Sequence, residues 1–133
     1  MWRGVRTEQG VSQFPAGAHD DPIQTKMLDM PHVLIIDPPS EVAIQPGAVV
    51  SKVVHSGDGM NVTVFGFDAG QGLTEHQAAR AAVVQVLSGR LRFTVDSEDL
   101  ELVPGSWLHM KPGTSHSLVA AEPTIMLLTL VGS

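Results

Sequence analysis

The sequence predicts an all-β domain built as a sandwich or a barrel. Short apolar segments that alternate, or that are rich in β-branched residues, recur from residue 49 to the end of the chain. Glycines and prolines separate these segments at nearly regular intervals. Only residues 77–82 could form a helical turn, and they are too few to change the fold class.

The predicted strands follow one another from residue 49 onward. Residues 90–95 show the clearest alternation, with Leu91, Phe93 and Val95 on one face. The valine-rich run that precedes them ends at Gly89, which lies in a hairpin-type turn. The complete set of predicted strands is 49–54, 61–67, 82–87, 90–95, 99–103, 107–110, 117–120 and 124–131.

The first 40 residues differ in composition from the rest. They hold five of the nine prolines, so we expect residues 1–40 to form a mostly irregular extension and residues 41–133 to form the barrel domain. An apolar run at residues 33–36 lies between Pro31 and Pro38, which favours an edge strand over a central one. Such a strand either packs on its own barrel or pairs with a second copy, and the second alternative predicts a homodimer.

The composition of the 133 residues limits the classes of function. This length fits one domain with a full hydrophobic core. A net charge of −6 with eight Lys and Arg residues argues against nucleic-acid binding, which needs a basic patch. The absence of cysteine excludes disulfides, thiolate metal sites and a cysteine nucleophile. No apolar run approaches the roughly 20 residues that span a bilayer, and no secretory signal is visible, so we expect a cytoplasmic protein without a membrane partner.

Glycines and two histidines form a regular frame in the second half of the chain. The frame consists of Gly70, His76, Gly89, Gly105, Gly113 and His116. Each of the two histidines lies beside a turn between short apolar segments. If the strands fold back on one another, His76 and His116 converge inside a small β-barrel and form a site there.

This frame resembles the two sequence motifs of the cupin family. Gly70, His76 and Gly89 fit the first motif without a gap, and Gly105, Gly113 and His116 fit the second. The resemblance covers roughly residues 49–131 and implies a double-stranded β-helix, the jelly-roll barrel. The segments 72–76 and 84–89 are especially similar to small bacterial stand-alone cupins of unassigned role.

The resemblance also implies a divalent metal site, which is incomplete in this chain. In the family, two histidines and a glutamate of the first motif and one histidine of the second hold the metal ion. His76 and His116 keep two of these positions, whereas Ala78 and Ala82 occupy the other two. Two imidazoles bind a divalent ion weakly. We therefore expect either a further donor or a weak or absent ion such as Zn, Mn, Fe or Ni, and no other cofactor.

Other side chains are candidates for the same site. His109 is either a third metal ligand, if its side chain points inward, or a hydrogen-bonded packing residue. Strand parity leaves this open, because His109 shares a face with Trp107 while the opposite face holds Leu108 and Met110. Trp107, Met110 and Gln85 are the candidates for lining a pocket. Core packing is the alternative role for Trp107 and Met110, and a structural amide bridge is the alternative for Gln85.

Two functions from different classes remain open, and the fold cannot choose between them. The favoured hypothesis is a stand-alone cupin that binds a small organic molecule inside the barrel, with at most a weakly held metal ion. The alternative is a metal-dependent enzyme, dioxygenase- or isomerase-like, in which His76, His116 and a third donor hold the metal. A metal-free isomerase with a histidine base is a minor third hypothesis. No catalytic residue is identified, so whether the chain is an enzyme stays open at this point.

Overall fold

A computed structural model of the protein describes residues 6–8 and 31–132. These ranges contain strands and one short 3-10 helix, and the predicted all-β class is confirmed. The strands are β1 (Arg6–Glu8), β2 (Val49–Gly57), β3 (Met60–Phe67), β4 (Gly72–Gln77), β5 (Ala81–Ser88), β6 (Leu91–Val95), β7 (Glu98–Leu102), β8 (Trp107–Met110), β9 (Ser115–Ala120) and β10 (Thr124–Val131), and the 3-10 helix is Pro38–Glu41. Within the described ranges, no helix has the length and apolar character needed to cross a membrane.

The strands form two sheets that face each other. The larger sheet has the order β1-β2-β3-β10-β5-β8, and the smaller has the order β4-β9-β6-β7. All neighbouring strands run antiparallel except β1 and β2, which run parallel. Strands that are far apart in the sequence, such as β3 and β10 or β4 and β9, are neighbours in space. The result is the jelly-roll that the sequence predicts, with sheets whose edge strands are not joined into a closed cylinder.

The main apolar core fills the space between the two sheets. On β5, Ala82, Val84 and Val86 are buried, while the residues between them are only partly buried. On β6, Leu91 and Phe93 are buried in the same alternating manner. Because side chains alternate between the two faces of a strand, these residues identify the inner faces. They belong to one cluster that also includes residues of β3, β8, β9 and β10.

A second apolar cluster lies on the outer face of the larger sheet. Val50 of β2, Val64 of β3 and Ile125 of β10 pack there against Val42. Ile35 is partly buried against the same cluster. The chain that precedes β2 therefore covers part of this outer face, and the larger sheet is packed on both sides.

The edge strand expected at residues 33–36 does not form. These residues run as irregular chain and belong to neither sheet. Ile35 packs on the protein, but the side chains on either side of it are exposed. Pro31 and the prolines at 38 and 39 flank the run, and proline cannot donate a ladder hydrogen bond. Residues 1–5 and 9–30 of the predicted extension lie outside the described residues, and the boundary near residue 40 stays a prediction.

The helical turn considered for residues 77–82 is also wrong. Strand β4 ends at Gln77 and strand β5 begins at Ala81, so these residues connect two strands of different sheets. Strand β4 itself was not among the predicted strands. Its sequence, which contains glycine, glutamate and glutamine, lacks the apolar alternation that marks the other strands.

One glycine of the frame is required by the geometry of its turn. Gly89 connects β5 to β6 with a φ of +87°, a conformation that side chains disfavour. A Cβ atom at this position would also overlap the carbonyl oxygen of Pro123 and the side chain of Thr124. The close approach of this turn to the start of β10 therefore needs a residue without a side chain.

Candidate functional site

The pairing of β4 with β9 brings His76 and His116 together. The two residues are direct partners in the antiparallel ladder, after a register shift between Leu73 and His76. Their ring centroids are 4.3 Å apart, and the rings meet at 62°. The convergence of the two histidines that the sequence motifs suggest is therefore present in the fold, on the smaller sheet.

The backbone fixes the orientation of both imidazoles. Nδ1 of His76 lies 2.6 Å from the carbonyl oxygen of Thr74, and Nδ1 of His116 lies 2.9 Å from the carbonyl oxygen of Thr114. A carbonyl oxygen can only accept, so each Nδ1 carries the hydrogen and donates it. In the neutral ring, Nε2 is then the atom that holds the lone pair. Both rings are thus held in the tautomer in which Nε2 can accept a hydrogen bond or bind a cation.

His116 is the more deeply buried of the two, at 2% exposure. Its ring stacks on Phe93 with 5.9 Å between the centroids. Burial lowers the pKa of His116 below 6.5, while the hydrogen bond to the carbonyl of Thr114 raises it and the nearby His76 lowers it. The net direction is downward. His116 is therefore a neutral imidazole near pH 7.

On its inner side, the pair adjoins the apolar core, whereas the pocket that reaches His116 is lined by polar side chains that include Glu75 and Asp96. Phe93, which contacts His116, belongs to the core cluster that also contains Ala82, Met110 and Leu118. Ala82 and Met110 are direct partners across β5 and β8. Met110 therefore lies on the inner face of the larger sheet, a position that fits both roles considered for it, pocket lining and core packing. The two histidines are polar groups at the border of an otherwise apolar interior.

The donor set around the pair is smaller than a cupin metal site requires. Among residues 31–132, no three His, Asp or Glu side chains lie close enough to hold one ion together. The positions where the family has its other two ligands are Ala78 and Ala82, which have no donor atom in their side chains. The described residues therefore do not form a complete site of the family type, and two imidazoles are what remains of it.

His109 and Trp107 lie on the opposite side of the larger sheet from the core. Their rings are roughly parallel, at 18°, with centroids 6.3 Å apart, and Trp107 is 62% exposed. The pairing of β8 with β5 decides this orientation, because Met110 lies opposite the buried Ala82. His109 does not join the pair of histidines. Gln85, the ladder partner of Trp107, shares their outer face.

The outer face of the smaller sheet carries a groove that the sequence did not reveal. Its volume is about 510 Å³, and its lining includes Arg92, Thr94, Asp99, Glu101 and Ser117. The hydroxyl of Thr94 donates to the carboxylate of Asp99 over 2.8 Å. The alternation of β6 could have indicated that Arg92 and Thr94 share a polar face. The groove itself forms only because β6 pairs with β7 and β9, which bring the other polar side chains beside them.

The comparisons with known proteins agree with this fold. The sequence model of the cupin domain matches residues 63–132, which is more than half of the chain. The chain belongs to the cupin family. No curated protein matches the sequence.

Solved structures extend the comparison. A conserved protein of unknown function from Streptococcus pyogenes is 31% identical, covers 78% of this chain and 91% of its own, and has a TM-score of 0.69. A cupin superfamily protein from Desulfitobacterium hafniense has the same TM-score at 19% identity and covers 78% and 94% of the two chains. KdgF from Halomonas sp. is 24% identical with a TM-score of 0.62, covering 69% and 86%. The last two similarities show the fold alone.

Proposed function

We propose that this cupin binds a small organic molecule inside the jelly-roll, with His76 and His116 as its polar anchor. The observation that carries the proposal is the geometry of the two imidazoles, whose centroids are 4.3 Å apart and whose Nδ1 atoms are both held by backbone carbonyls. Binding sites of this kind combine apolar walls with a few well-placed polar groups. The core residues on the inner side of the pair are the apolar groups that a ligand held there would contact.

The tautomer of the two rings indicates the chemistry of the ligand. The Nε2 atoms of two neighbouring rings can accept hydrogen bonds, so the matching ligand carries donors such as hydroxyl, amide or amine groups. Because burial lowers the pKa of His116, this ring is a neutral acceptor near neutral pH. A ligand with only acceptor groups would fit this arrangement poorly, because two acceptors that face each other gain no hydrogen bond.

A divalent ion is a second, weaker occupant of the same two nitrogens. Two imidazoles and water give fewer preorganised donors than the three protein ligands of a typical catalytic site. The alternative function, a metal-dependent enzyme, therefore needs a third donor from the substrate or from residues outside the described ranges. We favour ligand binding over metal-dependent catalysis because Ala78 and Ala82 provide no metal donor, while the two histidines remain paired.

The test is a fragment screen by NMR on the full chain, with a panel of diols, hydroxy acids, amides and amines. We expect some diols or amines to shift the imidazole resonances of His76 and His116 and the ring resonances of Phe93. His76→Gln should abolish these shifts, since it removes one imidazole acceptor from a partly buried position.

The matched control is His109→Gln, which changes an exposed histidine on the outer face of β8. It should leave fragment binding unchanged. A panel without any binder at the pair would contradict the proposal. So would fragments that bind wild-type protein and His76→Gln equally well, because their site would then lie elsewhere.

A further inference from the structure

Arg80 lies where the chain crosses from one sheet to the other. Residues 78–80 connect β4 of the smaller sheet to β5 of the larger one, and residues 111–114 make the reverse connection from β8 to β9. We call these two segments the end loops. The backbone N–H of Gly113 donates to the carbonyl oxygen of Ala78 over 2.8 Å, so both end loops lie at the same end of the two sheets.

The histidine pair lies beside the end loops. His76 is the last residue but one of β4, and His116 is the second residue of β9. Nδ1 of His116 is held by the carbonyl oxygen of Thr114, which belongs to the second end loop. The end loops therefore border the space between the sheets at the end where the two imidazoles meet.

The guanidinium of Arg80 lacks the partners that a partly buried cation needs. Its Nε is buried and forms no hydrogen bond in the described part of the chain, and no ion pair of that part includes this residue. Arg80 as a whole is only partly buried, so the side chain lies against the protein with part of its guanidinium open to the surroundings. A guanidinium is always charged, and holding a charge away from water without a counter-charge costs free energy. An anion bound at the open edge would offset this cost.

The other basic residues among 31–132 do not combine these features. Lys52 and Arg90 form ion pairs with glutamates, and Arg92 is exposed on the outer face of the smaller sheet. Lys111 is exposed as well, but it lies on the second end loop. The end loops thus carry Arg80 and Lys111 and contain no Asp or Glu, in a chain whose net charge is −6. This end of the fold is locally basic.

Nearby carboxylates determine the orientation of a charged ligand. Glu75 accepts a hydrogen bond from the hydroxyl of Ser115 over 2.5 Å. Glu75 and Asp96 also line the pocket that reaches His116. Because like charges repel, the negative group of a ligand is favoured at the end loops, and its neutral hydrogen-bond donors are favoured at the histidines.

We propose that Arg80, with Lys111 beside it, is the anion subsite for a small hydroxycarboxylate. The carboxylate of this ligand accepts charge-assisted hydrogen bonds from the open edge of the guanidinium, and its hydroxyl donates to Nε2 of the histidine pair. The hydroxyl half rests on the proposed function, whereas the carboxylate half stands on Arg80 and the end loops alone. The inference narrows the ligand from hydrogen-bond donors in general to donors that also carry an acid group.

The test is a pair of NMR titrations of the full chain at neutral pH, with glycerate and with glycerol. The two probes differ in that a carboxylate replaces one hydroxymethyl group. Glycerate should bind at least about tenfold more tightly, because a hydrogen bond to a charged group contributes more than a neutral one, and it should shift the side-chain Nε–H resonance of Arg80. Arg80→Gln should remove this advantage and leave glycerol binding unchanged. The matched control, Arg92→Gln, should bind glycerate as wild-type protein does.

A stability measurement separates this role from a structural one. Arg80→Gln should keep or raise the thermal midpoint of the ligand-free protein, since the guanidinium has no partner to lose within the described ranges. Glycerate should raise the midpoint of wild-type protein but not that of the variant. A clearly lower midpoint for ligand-free Arg80→Gln would show that the guanidinium serves the fold, and it would overturn the inference.

The outcomes also separate this inference from the proposed function. If glycerate does not bind, binds no better than glycerol, or keeps its advantage in Arg80→Gln, the anion subsite is overturned. Glycerol binding that His76→Gln abolishes would still support the histidine anchor in that case. If glycerate shifts the Arg80 resonance equally in wild-type protein and in His76→Gln, the anion subsite stands and the histidine anchor fails.

Discussion

A ring pair on the smaller sheet, His76 with His116, contrasts with a ring pair on the larger sheet, Trp107 with His109. His76 and His116 pair on the smaller sheet, where His116 is 2% exposed and stacks on Phe93. Trp107 and His109 stack on the outer face of the larger sheet, where Trp107 is 62% exposed. The residue types do not explain this contrast. The strand partners do, because they decide which face of each strand is turned toward the core.

The largest expected effect of this contrast is on stability. Phe93→Ala should lower the free energy of unfolding by about 3–5 kcal/mol, because it leaves a cavity beside His116 in the closed core. Trp107→Ala removes a larger ring but should cost no more than about 1 kcal/mol, since most of that ring is already in contact with water. Urea denaturation measures both values.

A third variant serves as a control for the size of the side chain. Phe93→Leu should cost clearly less than Phe93→Ala, because the cavity is smaller. If Trp107→Ala proves as destabilising as Phe93→Ala, the outer pair is buried in solution. The contrast between the two pairs would then be wrong.

Strand parity also explains how much of this site the sequence could predict. The alternation of Leu91, Phe93 and Val95 predicted the inner face of β6 correctly. For β8, one face holds Trp107 and His109, and the other holds the apolar Leu108 and Met110. From the sequence alone, either face could be the one that is turned toward the core. Only the long-range pairing with β5 selects one of them.

The partner of His116 was harder to predict for a related reason. The register of β4 shifts between Leu73 and His76, and this shift is what sets the two histidines opposite each other. A bulge depends on the partner strand as much as on the local residues. The motif spacing could therefore indicate that the histidines converge, but not how their rings meet.

The second effect is a dependence of stability on pH. Burial lowers the pKa of His116, so the unfolded chain takes up a proton more readily than the folded protein does. At pH values above about 6.5, the pKa of histidine in the unfolded chain, the neutral His116 makes its full contribution to stability. It is lost progressively as the pH falls below that value. Wild-type protein should therefore have a lower free energy of unfolding at pH 5 than at pH 7.

Two variants separate His116 from the other histidines in this measurement. His116→Phe should be less sensitive to pH than wild-type protein over this range, because the buried titrating group is gone. The matched control is His109→Gln, an exposed position on the outer face of β8, and it should follow the wild-type curve. Equal slopes for wild-type protein and His116→Phe would show that burial of this ring does not govern the dependence.

The smallest expected effect is on metal binding. The Nδ1–carbonyl bonds orient both Nε2 atoms as ligands, but the described residues add no third donor. We therefore expect weak, reversible binding of Zn²⁺ in calorimetric titrations. Loss of a residue that only hydrogen-bonds to a metal ligand lowers metal affinity about 10–100-fold. His76→Gln removes a ligand itself, so it should lower the affinity for Zn²⁺ at least about tenfold. His109→Gln should cost nothing measurable.

The same titration distinguishes the two functions that the family resemblance left open. A binding module with two imidazoles should lose its metal on dialysis, whereas a metal-dependent enzyme should retain close to one ion per chain by elemental analysis. Retention in wild-type protein together with loss in His76→Gln would favour the enzyme, and would require a third donor beyond residues 31–132. Retention in both proteins would place the ion away from the pair. In that case the two histidines hold an organic ligand or serve the fold alone.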